Sequence, residues 1–216
     1  HAFITAEEAL LGLAVALVIG GVIATLIVHV KALDRSLMPW VIASQTVPVL
    51  AIAPMVVVVL GNLGLSGLVP KVAIAAYLAF FPIVVGLVKG MRAPETIQFE
   101  LLQTYSARES EIFSKLRLPA SVAFLFPTLR VSAALAVMGA IVAELPTGAQ
   151  AGLGSRLLAG SYYGQTLMVW SALLAASLLS ALILGILSLL EAGLRWQRGG
   201  RSVSYTHLTL PTKRIV

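Results

Sequence analysis

Charged side chains are scarce in this chain, so the few that interrupt its apolar runs are the first candidates for chemistry. The densest group lies between residues 94 and 119, PETIQFELLQTYSARESEIFSKLRLP. Ile97, Leu101, Leu102 and Tyr105 recur at helical spacing and form one apolar face, with Glu100 and Gln103 elsewhere on the wheel. Ser106 and Glu109 make S-x-x-E, which predicts a capping box and a second helix. In that helix Ile112, Phe113 and Leu116 form an apolar stripe, Glu111 and Lys115 form a favourably oriented i,i+4 pair, and Pro119 is expected to end it. Two short amphipathic helices of this kind do docking chemistry rather than bond-making. They either rest on lipid headgroups or seat in a partner protein.

The other candidates stand alone inside apolar surroundings. Glu144, just before Pro146, could line a gate or pair with Arg156. Arg130 needs a partner or a water-filled cavity, unless it snorkels to the interface. Ser44, Gln45 and Thr46 could hydrogen-bond a solute along a pathway, or bond helix to helix. Gly148, Gly152 and Gly154 read as an outer loop or re-entrant turn, since no strand precedes them as a dinucleotide site would require. Glu7-Glu8-Ala9 lies before the first apolar run and is set aside.

Whole classes of chemistry are absent from the sequence. There is no cysteine, so disulfides and thiolate chemistry are excluded. His29 has no second ligand at metal spacing, and no metal site is expected. No G-x-x-x-x-G-K-[ST] is present to cradle a nucleotide. No paired carboxylates or Ser/His set lies within the apolar runs, which argues against an intramembrane enzyme.

The elements that position these residues are membrane spans. The 216 residues are 59% hydrophobic and 11% charged, against about 25% charged in a soluble domain, and the mean hydropathy is +0.97. A helix needs roughly 20 apolar residues to cross the hydrocarbon. Five segments qualify: Ala9 to Val30, Trp40 to Leu60, Val69 to Val88, Phe124 to Leu145 and Thr166 to Leu190. The fold class is therefore an all-α polytopic membrane helix bundle. Pro48, Pro54, Pro82 and Pro127 fall within spans and predict kinks.

The net charge of +6 reads as topology, not as nucleic-acid binding. Lys31, Arg35, Lys89, Arg92, Arg108, Lys115, Arg117, Arg195, Arg198 and Arg201 flank the spans on one side, and Lys71 and Arg156 on the other. The positive-inside rule puts the first group, and the C-terminus, in the cytoplasm. An odd span count with the N-terminus outside fits a missing first span. Residues 202–216, SVSYTHLTLPTKRIV, are polar and aperiodic and read as a non-native tail. Residues 1–201 form the membrane unit, with 90–120 as its main cytoplasmic loop.

That loop resembles the EAA loop of ABC importer permeases, in which Glu opens the motif, a small residue follows six positions later, and Leu-Pro closes it. Glu100, Ser106 and Leu118-Pro119 fall at those offsets, with Ala107 beside the small residue and Phe113, Lys115 and Arg117 at positions where similar residues are common. SQTVPVLAIAP (Ser44–Pro54), Arg130 in PTLRVSAAL, and VAELPTGAQAGLG (Val142–Gly154) resemble the nitrate/sulfonate/taurine-type branch, including its riboflavin- and pyrimidine-precursor-like members. The chain departs from the pattern in Leu101, Leu102 and Ser106, where the motif has two alanines and a glycine.

The resemblance implies a type I importer permease in a bacterial inner membrane that couples a translocation pathway to a separate ATPase through residues 94–119. It implies a second permease subunit, most simply a homodimer, and an extracytoplasmic substrate-binding protein. ATP and Mg would be held by the ATPase, so the chain itself is neither an enzyme nor a cofactor carrier. An ATP-independent channel or secondary transporter is the alternative, and it would leave the paired-helix loop unexplained.

Overall fold

The computed structural model describes residues 1–146 and 151–197, and every element among them is helical. The 198–216 segment, with the expected tail, and residues 147–150, with Gly148, lie outside the described residues. The helices are α1 (Ala2–His29), α2 (Lys31–Ala43), α3 (Val49–Asn62), α4 (Leu68–Met91), α5 (Thr96–Thr104), α6 (Glu109–Ile112), α7 (Leu118–Glu144), α8 (Leu153–Tyr162) and α9 (Thr166–Gln197). Four uninterrupted runs are long and apolar enough to cross a membrane: α1, α4, Glu109–Glu144 and α9.

The core is the trio α1, α4 and α7, held together by close backbone approach. With lipid on the outside there is no hydrophobic drive between helices, so packing depends on small residues at the seams. Ala75 of α4 sits between two glycines. A Cβ at Gly12 of α1 would lie 2.5 Å from the Ala75 Cβ, and one at Gly139 of α7 would lie 2.7 Å from its Cα. Ala75, Ala79, Ile83 and Val84 are fully enclosed there. α9 stands at the edge, with Ala172 and Ile183 its only buried apolar side chains among the described residues.

The second predicted span is not one helix. α2 ends in a 3₁₀ turn, Ser44–Thr46, and α3 leaves at 103° to it. Pro48 explains the position of the break. It lacks an N–H and disfavours helical geometry at Val47, which is extended at φ −82, ψ 124. The Ser44 and Thr46 hydroxyls donate to the Val41 and Ala43 carbonyls, and so satisfy acceptors that the break frees. Helices run without a break through Pro54, Pro82 and Pro127. α2 lies alongside α4, from the Asp34–Arg92 ion pair at 2.9 Å to Ser44, whose carbonyl accepts the Tyr77 hydroxyl.

α1 also starts earlier than the apolar run predicts, at Ala2 rather than Ala9. Its 28 residues span about 42 Å at 1.5 Å per residue, so its first turns reach past about 30 Å of hydrocarbon. Glu7 and Glu8 are inside this helix rather than before it.

Candidate functional site

The 92–117 loop gathers most of the predicted docking residues at one end of the bundle, called here the loop end. α5 is capped at its start by Glu95, whose backbone N–H donates to Gln98 Oε1 at 3.0 Å. It closes on Ser106, which adopts φ +53. The Ala107 N–H donates to the Leu102 carbonyl at 3.0 Å and the Ser106 N–H to Gln103 at 2.8 Å. This is the paired bonding of a left-handed C-terminal helix cap, the role in which glycine is usual and serine costs more.

Ser106 does not cap the next helix, contrary to the S-x-x-E reading. That role falls two residues later: the Arg108 backbone N–H donates to Glu111 Oε2 at 3.0 Å. A residue already spent on a left-handed turn cannot also hold the extended backbone of an N-cap. Glu111 pairs with Lys115 at 2.9 Å, as the spacing predicts. The Arg108 N–H, and then Lys115, hold the Glu111 carboxyl, in the loop outside the spans, below the usual carboxylate range.

Pro119 does not end the second loop helix. Residues Phe113–Arg117 form a π turn in which the Leu118 N–H bonds to the Phe113 carbonyl, and the helix continues into α7. The wider turn accommodates a proline whose missing N–H and bulky ring would disrupt ordinary i→i−4 bonding. The loop's second half is therefore continuous with a span.

Along α5 and its C-cap three of the four predicted apolar residues are uncovered, Ile97 at 67% exposed, Leu101 at 57% and Tyr105 at 77%, while Leu102 is half-buried. Glu100 is exposed beside them, as are Leu118 and Pro119, while Ala107 and Phe113 are half-buried. Phe113 meets the His29 ring edge-on at 4.9 Å and so ties the loop to the end of α1. Arg117 lies over the Phe99 ring at 5.0 Å, tying α5 to the π turn.

The three pathway or gate candidates are not brought together. Gln45 is exposed in the 3₁₀ turn at the α2–α3 break. Arg130 pairs with Glu191 of α9, a partner just beyond the predicted end of the fifth span. Glu144 lies at the opposite end of the bundle and is fully buried. It accepts the Thr5 hydroxyl at 2.6 Å and the Gly154 N–H. Arg156 instead donates to His1 Nε2 at 2.9 Å.

Around Glu144 is a polar cluster that the sequence reading passed over. Glu8, 1% exposed, accepts from Lys71 of α4 at 2.6 Å, and its carboxyl stands close enough to Glu144 to interact. Thr5, Glu8 and Gly12 sit on the face of α1 that packs against α4 and α7. Their i, i+3, i+7 spacing with buried Ala9 and Ala16 was the available signal.

The sequence profile of the family of binding-protein-dependent transport system inner membrane components matches residues 16–196. The chain belongs to that family. It is similar to the formylaminopyrimidine transport permease protein ThiX of Halalkalibacterium halodurans, at 35% identity over 67% of this chain and 56% of that protein. It is also similar to the riboflavin transport system permease protein RibX of Chloroflexus aurantiacus, at 30% identity over 78% of this chain and 62% of that protein. The chain thus spans less than two thirds of the length of either relative. The match to the inner-membrane component family runs from the middle of α1 to the end of α9, so loop, broken span and polar cluster all lie in it or pack against it.

Proposed function

We propose that this chain is the permease subunit of an ATP-binding-cassette importer, with its 94–119 loop seated in a partner ATPase that binds ATP and Mg. The observation that carries the reading is the uncovered row Ile97, Leu101 and Tyr105 beside Glu100, on a helix braced against a rigid extension of α7. Exposed apolar side chains at the tip of a loop are expensive in water and favour a protein partner. The π turn carries motion of that partner directly into a span.

The Lys and Arg residues near the loop support placing that end in the cytoplasm of a bacterial inner membrane, with the C-terminus on the same side. A second copy of the chain and an extracytoplasmic binding protein complete the assembly. Gln45 lines the translocation route. Irregular backbone at membrane depth is tolerated only against protein or a water-filled cavity, and Gln45 is exposed at such a break. The names of ThiX and RibX point to a small heteroaromatic solute, pyrimidine- or riboflavin-like, and that of a more distant relative, the putative aliphatic sulfonates transport permease SsuC of Bacillus subtilis, to a sulfonate.

The test is co-purification of the tagged permease with its cognate ATPase. Retention of the ATPase by the parent, and its loss in Ile97→Glu/Leu101→Glu, is the expected result. Retention unaffected by the double substitution would contradict the docking surface. No retention at all, with the permease intact in the membrane, would favour an ATP-independent transporter.

A further inference from the structure

α8 and α9 form a hairpin at the edge of the bundle. They meet through a tight turn at Gly164, φ +66, and a Cβ at Gly160 would lie 2.9 Å from Val169. The hairpin touches the trio along an apolar seam through Ala172 and Ile183. Beyond that seam it is held by Arg130–Glu191 toward the loop end and, at the far end, by the first turn of α8 on Thr5 and Glu144 and by Gly152 and Arg156 on His1.

The far-end attachment is a chain of hydrogen bonds. The Leu153 N–H donates to Thr5 Oγ1 at 2.9 Å, the Thr5 hydroxyl donates to Glu144 at 2.6 Å, and the Gly154 N–H donates to Glu144. Only glycine fits at this contact, since a Cβ at Gly154 would lie 2.3 Å from the Ile141 carbonyl and one at Gly152 2.3 Å from the Glu144 carboxyl carbon. Lys71 offsets the charge of Glu8. The positive end of α8 does the same for Glu144. If α8 lifts away, Glu144 loses the Gly154 N–H and the positive end of α8 but keeps the Thr5 hydroxyl of α1, and water can enter beside Glu144 and Glu8.

We propose that the α8–α9 hairpin is the moving gate at the far end of the bundle, and that Thr5 and Glu144 are its latch, positioning residues that hold α8 seated over the outer ends of α1 and α7. The word "outer" rests on the orientation proposed above.

The chain has no cysteine, which makes single-probe labelling clean. Leu153, 4% exposed, is replaced by Cys in the full-length permease, and Tyr163, 72% exposed, by Cys as the open control. Vesicles are treated from the outer face with a membrane-impermeant maleimide. Leu153→Cys is expected to react at least ten-fold more slowly than Tyr163→Cys, and Glu144→Gln to raise its rate at least ten-fold while leaving the control rate unchanged. Thr5→Val and Gly154→Ala act on the same contact, and either replaces Glu144→Gln if that variant fails to accumulate. A Leu153→Cys rate that equals the control in the parent, or that none of these substitutions alters, would overturn the latch. The measurement uses the permease without nucleotide. If ATP and the cognate ATPase then leave the rate unchanged, that counts against the coupling reading and not against the latch.

Discussion

Replacing Lys71 by Met should be among the most damaging single substitutions in this chain. Lys71 Nζ lies 2.6 Å from Glu8 Oε1, with the two side chains 10% and 1% exposed. Met keeps the length and apolar stem of Lys but removes the charge, which leaves Glu8 beside Glu144 in a closed site. Breaking a buried pair by removing one partner costs about 3–5 kcal/mol. The folding constant should therefore fall by roughly 10²- to 4 × 10³-fold. Glu8→Leu/Lys71→Met removes both charges and should lie within about 1.5 kcal/mol of the parent. The assay is reversible unfolding in mixed micelles by increasing dodecyl sulfate, followed by tryptophan fluorescence. The reasoning is refuted if Lys71→Met lies within about 1 kcal/mol of the parent, or if the double variant is no more stable than the single.

Gly139→Val should force α7 off α4, because the new Cβ would lie 2.7 Å from the Ala75 Cα, a backbone atom that cannot swing aside. The expected loss is about 1–3 kcal/mol, read in the same unfolding assay, whereas Gly21→Val, which faces open space, should be nearly silent. Single cysteines at Ser106 and Tyr163, both exposed at opposite ends of the bundle, should label from opposite faces of oriented vesicles. Labelling of both from one face would contradict the orientation drawn from the Lys and Arg distribution.

The spans were legible because length and apolarity alone are sufficient signals in lipid. The core trio and α9 appear where the apolar runs placed them, and Glu111–Lys115 pairs as its spacing predicted. The break in the second segment was not legible. Pro48 is one of four prolines that look equivalent in sequence, and only the local hydroxyl caps at Ser44 and Thr46 distinguish it. The Ser106 cap failed as a prediction because serine suits both an N-cap and, less well, a left-handed turn, and the α5 carbonyls decided between them. Glu8 was hidden by its place at the edge of an apolar run, where an exposed carboxylate is the ordinary expectation. Its partner lies 63 residues away and Glu144 a further 73 beyond that, separations that no local pattern encodes. Arg130 announced its need for a partner, but Glu191 lay one residue beyond the predicted span.

The central claim is that the 94–119 loop docks an ATPase. The most direct measurement is a crosslink in native membranes between Cys at Ser106 and Cys in the docking cleft of the co-expressed ATPase, with and without Glu100→Lys. The account predicts a strong crosslink that the substitution abolishes. No crosslink, with the Ser106 cysteine freely labelled from the cytoplasmic face, would reduce the loop to a surface helix pair and contradict the account.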